Sequence, residues 1–276
     1  MSIYDFSVEL SQPIYLYAFT LEVDPVTHAT RTWRYASSAT NVLTPDGFVW
    51  YASALSHDGV KQTGEAASDS LSIEGTIDLA PAQIYIVNPP ATLMTATIFA
   101  ADANDLDYAT IYAGEIQQVD VPEIGKCVIK CATISVSLER AGVRLSWQRS
   151  CPYTLYDDMC GIDKAAHEFT STITAINGFD VTIASFAGSP GFYDGGVLTY
   201  THPVKGVQMI GIEAQITGGV KLFGAMSDMI VGMQVKIAPG CARTPTACQA
   251  FSNYDNYGGV PNMPGKSPFD GINPFF

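Results

Sequence analysis

The residues best equipped for chemistry are four cysteines in two pairs. Cys151 and Cys160 stand in RSCPYTLYDDMCGID, and Cys241 and Cys248 in PGCARTPTACQAF, with roughly eighty residues between the pairs. Each pair lies in a turn-rich segment bounded by Pro and Gly, so the chain can wrap around a small object. Four thiolates converging on one point suit an iron–sulfur cluster or a zinc ion. Paired ligands in structural zinc sites typically stand two to four residues apart. Here the intervals are eight and six residues, which suits a bulkier cluster. Two disulfides, or free thiols, would use the same four residues. The N-terminal MSIYDFSVEL lacks the basic stretch and apolar core of a secretory signal. Disulfides rarely persist in a reducing cytosol. Residue types and spacing thus leave cluster, zinc, and disulfides or free thiols as alternatives.

The elements that must position these cysteines read as strands. Period-two alternation and enrichment in Thr, Val, Ile and Tyr predict strands at 14–23, 31–35, 48–51, 71–77, 92–100, 108–119 and 126–139. After Trp147 a second β segment follows, with strands expected at 169–175, 179–184, 195–200, 206–215, 221–223 and 234–238. Pro45-Asp46-Gly47 and Asn177-Gly178 are turn signals, and 64–69 reads as a polar loop. Pro81 near the start of PAQIYIV predicts one short helix over 81–87. The expected architecture is all-β in three parts. Residues 1–146 form an N-terminal β-barrel or sandwich. Residues 147–250 form a cysteine region that holds a small β domain at about 168–238 and clamps its two ends. Residues 251–276 form an irregular tail laid on a surface or a partner.

Other chemistry is sparse. The sequence contains no Gly-rich phosphate loop, nucleophile elbow or HExxH helix. His28, His57, His167 and His202 each stand alone, as surface or core-edge histidines do. His167 is near enough to Cys160 to support a metal ligand from behind. Asp102, Asp105 and Asp107 lack the full spacing of a calcium loop and read as a solvated turn. Asp157-Asp158 reads as an exposed turn beside the first cysteine pair. Cys127 and Cys131 fall on one face of a strand and read as small buried hydrophobes. No catalytic residues are assigned, and no enzymatic activity is expected.

Composition narrows the partners. With 14 Lys and Arg against 27 Asp and Glu, the 276-residue chain carries a formal charge of −13. A nucleic-acid binder needs a basic footprint to replace phosphate counterions, so no specific nucleic-acid binding is expected. No run approaches the ~20 apolar residues of a membrane span. Only 15% of residues are charged, as befits a surface largely covered by partners.

The segment SCPYTLYDDMCGIDK, followed much later by PGCARTPTACQAFSNYDNYGGVPNMPG, resembles the tail-tip or baseplate hub proteins of long-tailed phages. This is the family of the minor tail protein L of phage lambda and the hub of gene transfer agents. The resemblance rests on the paired cysteines, on Asn256-Tyr257-Gly258-Gly259 and on Pro264-Gly265. More loosely, TPDGFVWYAS stands where relatives carry a Gly-aromatic-Tyr turn. Ala242 stands where the family often has a charged residue. The resemblance implies a [4Fe-4S] cluster held by Cys151, Cys160, Cys241 and Cys248, with zinc as the alternative. It further implies a virion protein of the tail tip, assembled in the bacterial cytoplasm as a homotrimeric ring. That ring would lie between a distal tail protein and a central hub, fibre or receptor-binding protein, with a tape measure protein as a further neighbour. An acidic lining would let DNA pass without binding.

Overall fold

Alternating apolar residues give the N-terminal strands one face to bury. The computed structural model describes residues 13–60, 70–101, 108–133, 145–224 and 227–263. They form a mostly β structure with few helices, divided into two compact units. The first unit comprises residues 1–140 and 201–208, the second 141–200 and 209–276.

The first unit is built on one nine-stranded sheet. Its strands are β1 (Ile14–Asp24), β2 (Ala29–Ala36), β3 (Val42–Leu43), β4 (Val49–Ala52), β5 (Ser56–His57), β6 (Leu71–Thr76), β7 (Met94–Ala101), β8 (Tyr108–Asp120) and β9 (Lys126–Thr133), in the order β3-β4-β2-β1-β7-β8-β9-β6-β5. In β1, Tyr17, Phe19 and Leu21 enter the larger core, while Leu16 packs from the other face with Val42 and Trp50. That split follows from the two-residue period of a strand. The predicted helix is α1 (Ala80–Val87), with proline in its first turn.

The expected N-terminal barrel or sandwich is instead an open sheet. Its two edge strands, β3 and β5, are only two residues long and do not pair with each other. Where a second sheet would stack, Leu79 and α1 residues Ala82 and Ile84 join the core. Both edge strands were invisible to periodicity because two residues carry no period. Residues 64–69, Asp102, Asp105 and the end of the predicted 126–139 strand lie outside the described residues, as do Asp107 and everything from Pro264 onward.

Residues 201–208 belong with the first unit. Lys205 is buried there and its ammonium donates to the Asn88 carbonyl at 2.8 Å. The Gln208 side-chain oxygen accepts from the Ala91 amide at 2.9 Å.

The second unit is organised by a closed six-stranded barrel: β10 (Phe169–Asn177), β11 (Asp180–Ile183), β12 (Val197–His202), β13 (Gly206–Ile216), β14 (Gly219–Leu222) and β15 (Gln234–Ala238), ordered β10-β11-β14-β13-β12-β15. The closed barrel thus arises in the smaller β segment. Its core gathers Ile173, Val181, Leu198, Ile212, Val220, Val235 and Ile237. Closure leaves the barrel without free edges to aggregate. Short helices α2 (Lys164–His167) and α3 (Pro245–Ala250) flank it in sequence.

Cys127 and Cys131 sit with Ile129 on the core face of β9, fully buried, as small hydrophobes. Burial pushes the Cys131 thiol up to about 12 and raises Cys127 as well. Cys131 stays protonated in the fold at pH values where the unfolded thiol ionises, near 8.5, and Cys127 is shifted in the same direction. The unfolded state then binds fewer protons, so stability falls as pH rises. Between roughly pH 8.5 and 10, before tyrosines titrate, each fully shifted thiol contributes up to about 1.4 kcal/mol per pH unit. Urea unfolding across that window is expected to show this decline, and Cys131→Ala is expected to flatten it.

Candidate metal centre

Closure of the barrel brings the two cysteine pairs together. Strands β10 and β15 pair antiparallel, Phe169 opposite Ile237 and Thr172 opposite Gln234. The start of β10, shortly after Cys160, therefore lies beside the end of β15, just before Cys241. Strand β12 joins the same end, with Val197 opposite Ala238. This meeting demands close backbone approach. A Cβ on Gly240 would stand 1.9 Å from the Asp194 carbonyl oxygen, and one on Gly196 2.3 Å from that of Ala238. Only glycine fits at either place.

Local chemistry shapes each loop. The half-buried Asp157 carboxylate accepts from the Thr154 amide at 2.9 Å and from the Cys160 amide at 2.6 Å. Asp158 is exposed, as expected; Asp157 is instead the brace of the first loop, an Asx-type turn its position before Cys160 could have signalled. In the second loop, Thr244 caps α3 by accepting from the Ala247 amide, which fixes Cys248 within the helix. The Arg243 amide donates to Cys241 Sγ at 3.4 Å, and its carbonyl accepts from the Cys151 amide at 3.0 Å. Tyr156 donates its hydroxyl to the Pro239 carbonyl at 2.8 Å, linking the two loops.

The chain after α3 returns to this end. Tyr257 donates to the Arg149 carbonyl at 2.8 Å, and the Val260 amide to that of Gln148 at 2.9 Å. The tail expected to lie on a surface or a partner is, over 251–263, laid on the chain's own segment before Cys151. Sequence reasoning missed these roles of Arg243, Tyr156 and Tyr257, since nothing in their spacing marks them.

Cys151, Cys160, Cys241 and Cys248 all line one cavity of about 130 Å³. A single water needs roughly 10–15 Å³ of comparable space. All six cysteines are free thiols. Cys160 and Cys248 are buried, and Cys151 and Cys241 partly so. Burial raises the Cys248 thiol, and so does the negative charge that Cys241, Cys151 and Cys160 would carry. Burial followed by the neighbouring cysteines likewise raises Tyr156, through Cys241 and Cys160, and Tyr257, through Cys151 and Cys248 first. Among the described residues no group of three or more His, Cys, Asp or Glu stands arranged to hold a metal ion. Four thiols lining one cavity are a donor set that iron–sulfur centres and zinc both use.

Backbone strain concentrates here. Tyr156, Arg243 and Ser252 hold positive φ angles of 71°, 57° and 54° without being glycine. Each such residue costs on the order of 1–3 kcal/mol and persists only where its surroundings enforce it.

The remaining candidates do not join the cavity. The exposed His167 packs edge-on against Phe251 at 5.3 Å between ring centroids, and Phe251 in turn lines the cavity. His28 pairs with Glu22, His57 accepts or donates with the Tyr17 hydroxyl, and His202 accepts from the amides of Val204 and Lys205.

Residues 191–267 match a family described as phage conserved hypothetical protein BR0599, a stretch that includes Cys241 and Cys248. An uncharacterized protein of Xylella fastidiosa (strain 9a5c) is 30% identical over 105 residues, 37% of this chain and 22% of that protein, so the match spans about a fifth of the relative's length. A chain from the virion of a native gene transfer agent particle superposes with a TM-score of 0.77 at 17% identity, covering 94% of this chain and 90% of that one. The two chains share their fold nearly end to end.

Gly259 tests how firmly the returning segment is fastened. A Cβ there would stand 2.6 Å from the Arg149 carbonyl oxygen and 2.8 Å from Ser150 backbone atoms. Gly259→Ala is expected to destabilise the second unit by about 1–3 kcal/mol, as overpacking does, in urea unfolding. Gly258→Ala, whose nearest neighbours are atoms of the Tyr153 side chain, is expected to cost less because a side chain can turn aside.

Proposed function

We propose that this protein is a non-enzymatic structural component of a phage or gene-transfer-agent-like virion, placed in the tail tip as a subunit of the baseplate hub. The observation that carries this reading is the end-to-end fold similarity to a gene transfer agent virion chain. The phage family match over 191–267 points the same way. The subunit acts as a homotrimeric ring around the tail axis, between a distal tail protein and a central hub, fibre or receptor-binding protein, with a tape measure protein as a further neighbour. It assembles in the bacterial cytoplasm. Head-to-tail contacts that close by rotation give such a ring, whereas non-closing ones give filaments. The charge of −13 suits a conduit that DNA must cross without sticking. Among the described residues no helix is long and apolar enough to cross a membrane.

Cys151, Cys160, Cys241 and Cys248 are the residues that would hold a [4Fe-4S] cluster. When bound, such a centre supplies covalent cross-linking between segments far apart in sequence, so that its binding energy becomes folding energy. Asp157 and Thr244 hold Cys160 and Cys248 in place, and the segment around Tyr257 covers the cysteine end of the barrel.

Two measurements test this reading. Protein purified without air is expected to be brown, with broad absorption near roughly 400 nm and about four iron and four sulfide per chain. Cys151→Ser or Cys241→Ser is expected to abolish the colour, and Cys127→Ser to leave it. A colourless protein with one zinc per chain would falsify the cluster. Particles produced without this protein are expected to lack completed tail tips and infectivity; complete, infectious particles would overturn the structural role.

A further inference from the structure

Asn253 touches both cysteine pairs. Its side-chain amide nitrogen donates to the Cys160 carbonyl at 2.7 Å and reaches Cys160 Sγ at 3.8 Å. Its backbone amide donates to the Cys248 carbonyl at 3.1 Å, and the Cys248 thiol donates to the Asn253 carbonyl oxygen at 3.0 Å. Its side-chain oxygen accepts from the Asn256 side-chain nitrogen at 2.7 Å, which fixes the orientation of the donor. The preceding residue, Ser252, holds a left-handed backbone with φ of 54°. That turn, next to α3, is what places Asn253 against the Cys160 loop. A carboxamide donates to Cys160 through its nitrogen and accepts from Asn256 through its oxygen at once.

We propose that Asn253 is the positioning residue that joins the two cysteine pairs into one ligand set, its amide donating to Cys160 Sγ in the loaded centre. The inference rests on the cluster reading above and extends it. Hydrogen bonds to cluster sulfurs help set the reduction potential. A donor beside a ligating sulfur favours the more negative, reduced form, so removing it makes reduction harder. Groups that orient metal ligands from behind typically change metal retention by about 10–100-fold.

The test compares the full wild-type chain, purified without air, with Asn253→Leu, which keeps the γ-branched shape and removes the donor. Iron release to a chelator is timed, and reduction is followed by electron paramagnetic resonance during potentiometric titration. Asn253→Leu is expected to lose iron about 10–100-fold faster and to be reduced at a more negative potential. Asn253→Ala is expected to shift both quantities the same way, and serves if the leucine variant does not fold. Wild-type retention and potential in the variants overturn the inference while leaving the cluster intact. Faster loss at an unchanged potential also overturns it, since a purely structural residue would behave that way. A wild-type chain that holds no iron overturns both this inference and the cluster reading.

Discussion

The pairing of β10 with β15 is the constraint on which the rest of the second unit depends. It closes the barrel, and in doing so sets the two cysteine loops side by side. Two flexible loops that far apart in sequence would otherwise carry a substantial entropic cost of closure. Here a rigid ladder of backbone hydrogen bonds and a buried core of aliphatic side chains bears that cost. The glycines at 196 and 240 let the backbones approach closely enough for the loops to share one cavity.

What gathers at that end of the barrel is unfavourable by itself. Three non-glycine residues hold left-handed backbones. Four thiols face one cavity, and any negative charge on Cys151, Cys160 or Cys241 opposes ionisation of Cys248. Such arrangements cluster where function requires them. Thiolates that repel one another attract a cation placed among them, and coordination deprotonates them outright. Under the proposed function, the geometry that is costly as free thiols would become favourable as a ligand set. The contrast with Cys127 and Cys131 is instructive. Those two thiols are buried in an apolar core with no cavity, and they behave as packing groups.

Much of this was legible in the sequence. Strands with sustained alternation, such as Ile14–Asp24 and Gly206–Ile216, appeared close to where they were expected, and Pro81 marked the helix that begins at Ala80. Spacing singled out the four cysteines that share the cavity. The tertiary facts were not legible. Nothing in period-two patterning says whether a sheet closes, so the barrel was expected in the larger segment and arose in the smaller. The roles of Asp157, Arg243 and Asn253 depend on single hydrogen bonds between segments far apart in the chain, which leave no local signature. The tail after Ala250 looked irregular because its order comes from Gln148 and Arg149 rather than from any repeat of its own.

The most direct test of the centre is X-ray absorption at the iron edge on anaerobically isolated full-length protein. An all-sulfur first shell with neighbouring iron atoms behind it is the expected spectrum, from four cysteine ligands and bridging sulfide. An iron shell dominated by nitrogen and oxygen, or an iron edge absent while a zinc edge shows four sulfur ligands, would contradict a polynuclear cluster at Cys151, Cys160, Cys241 and Cys248.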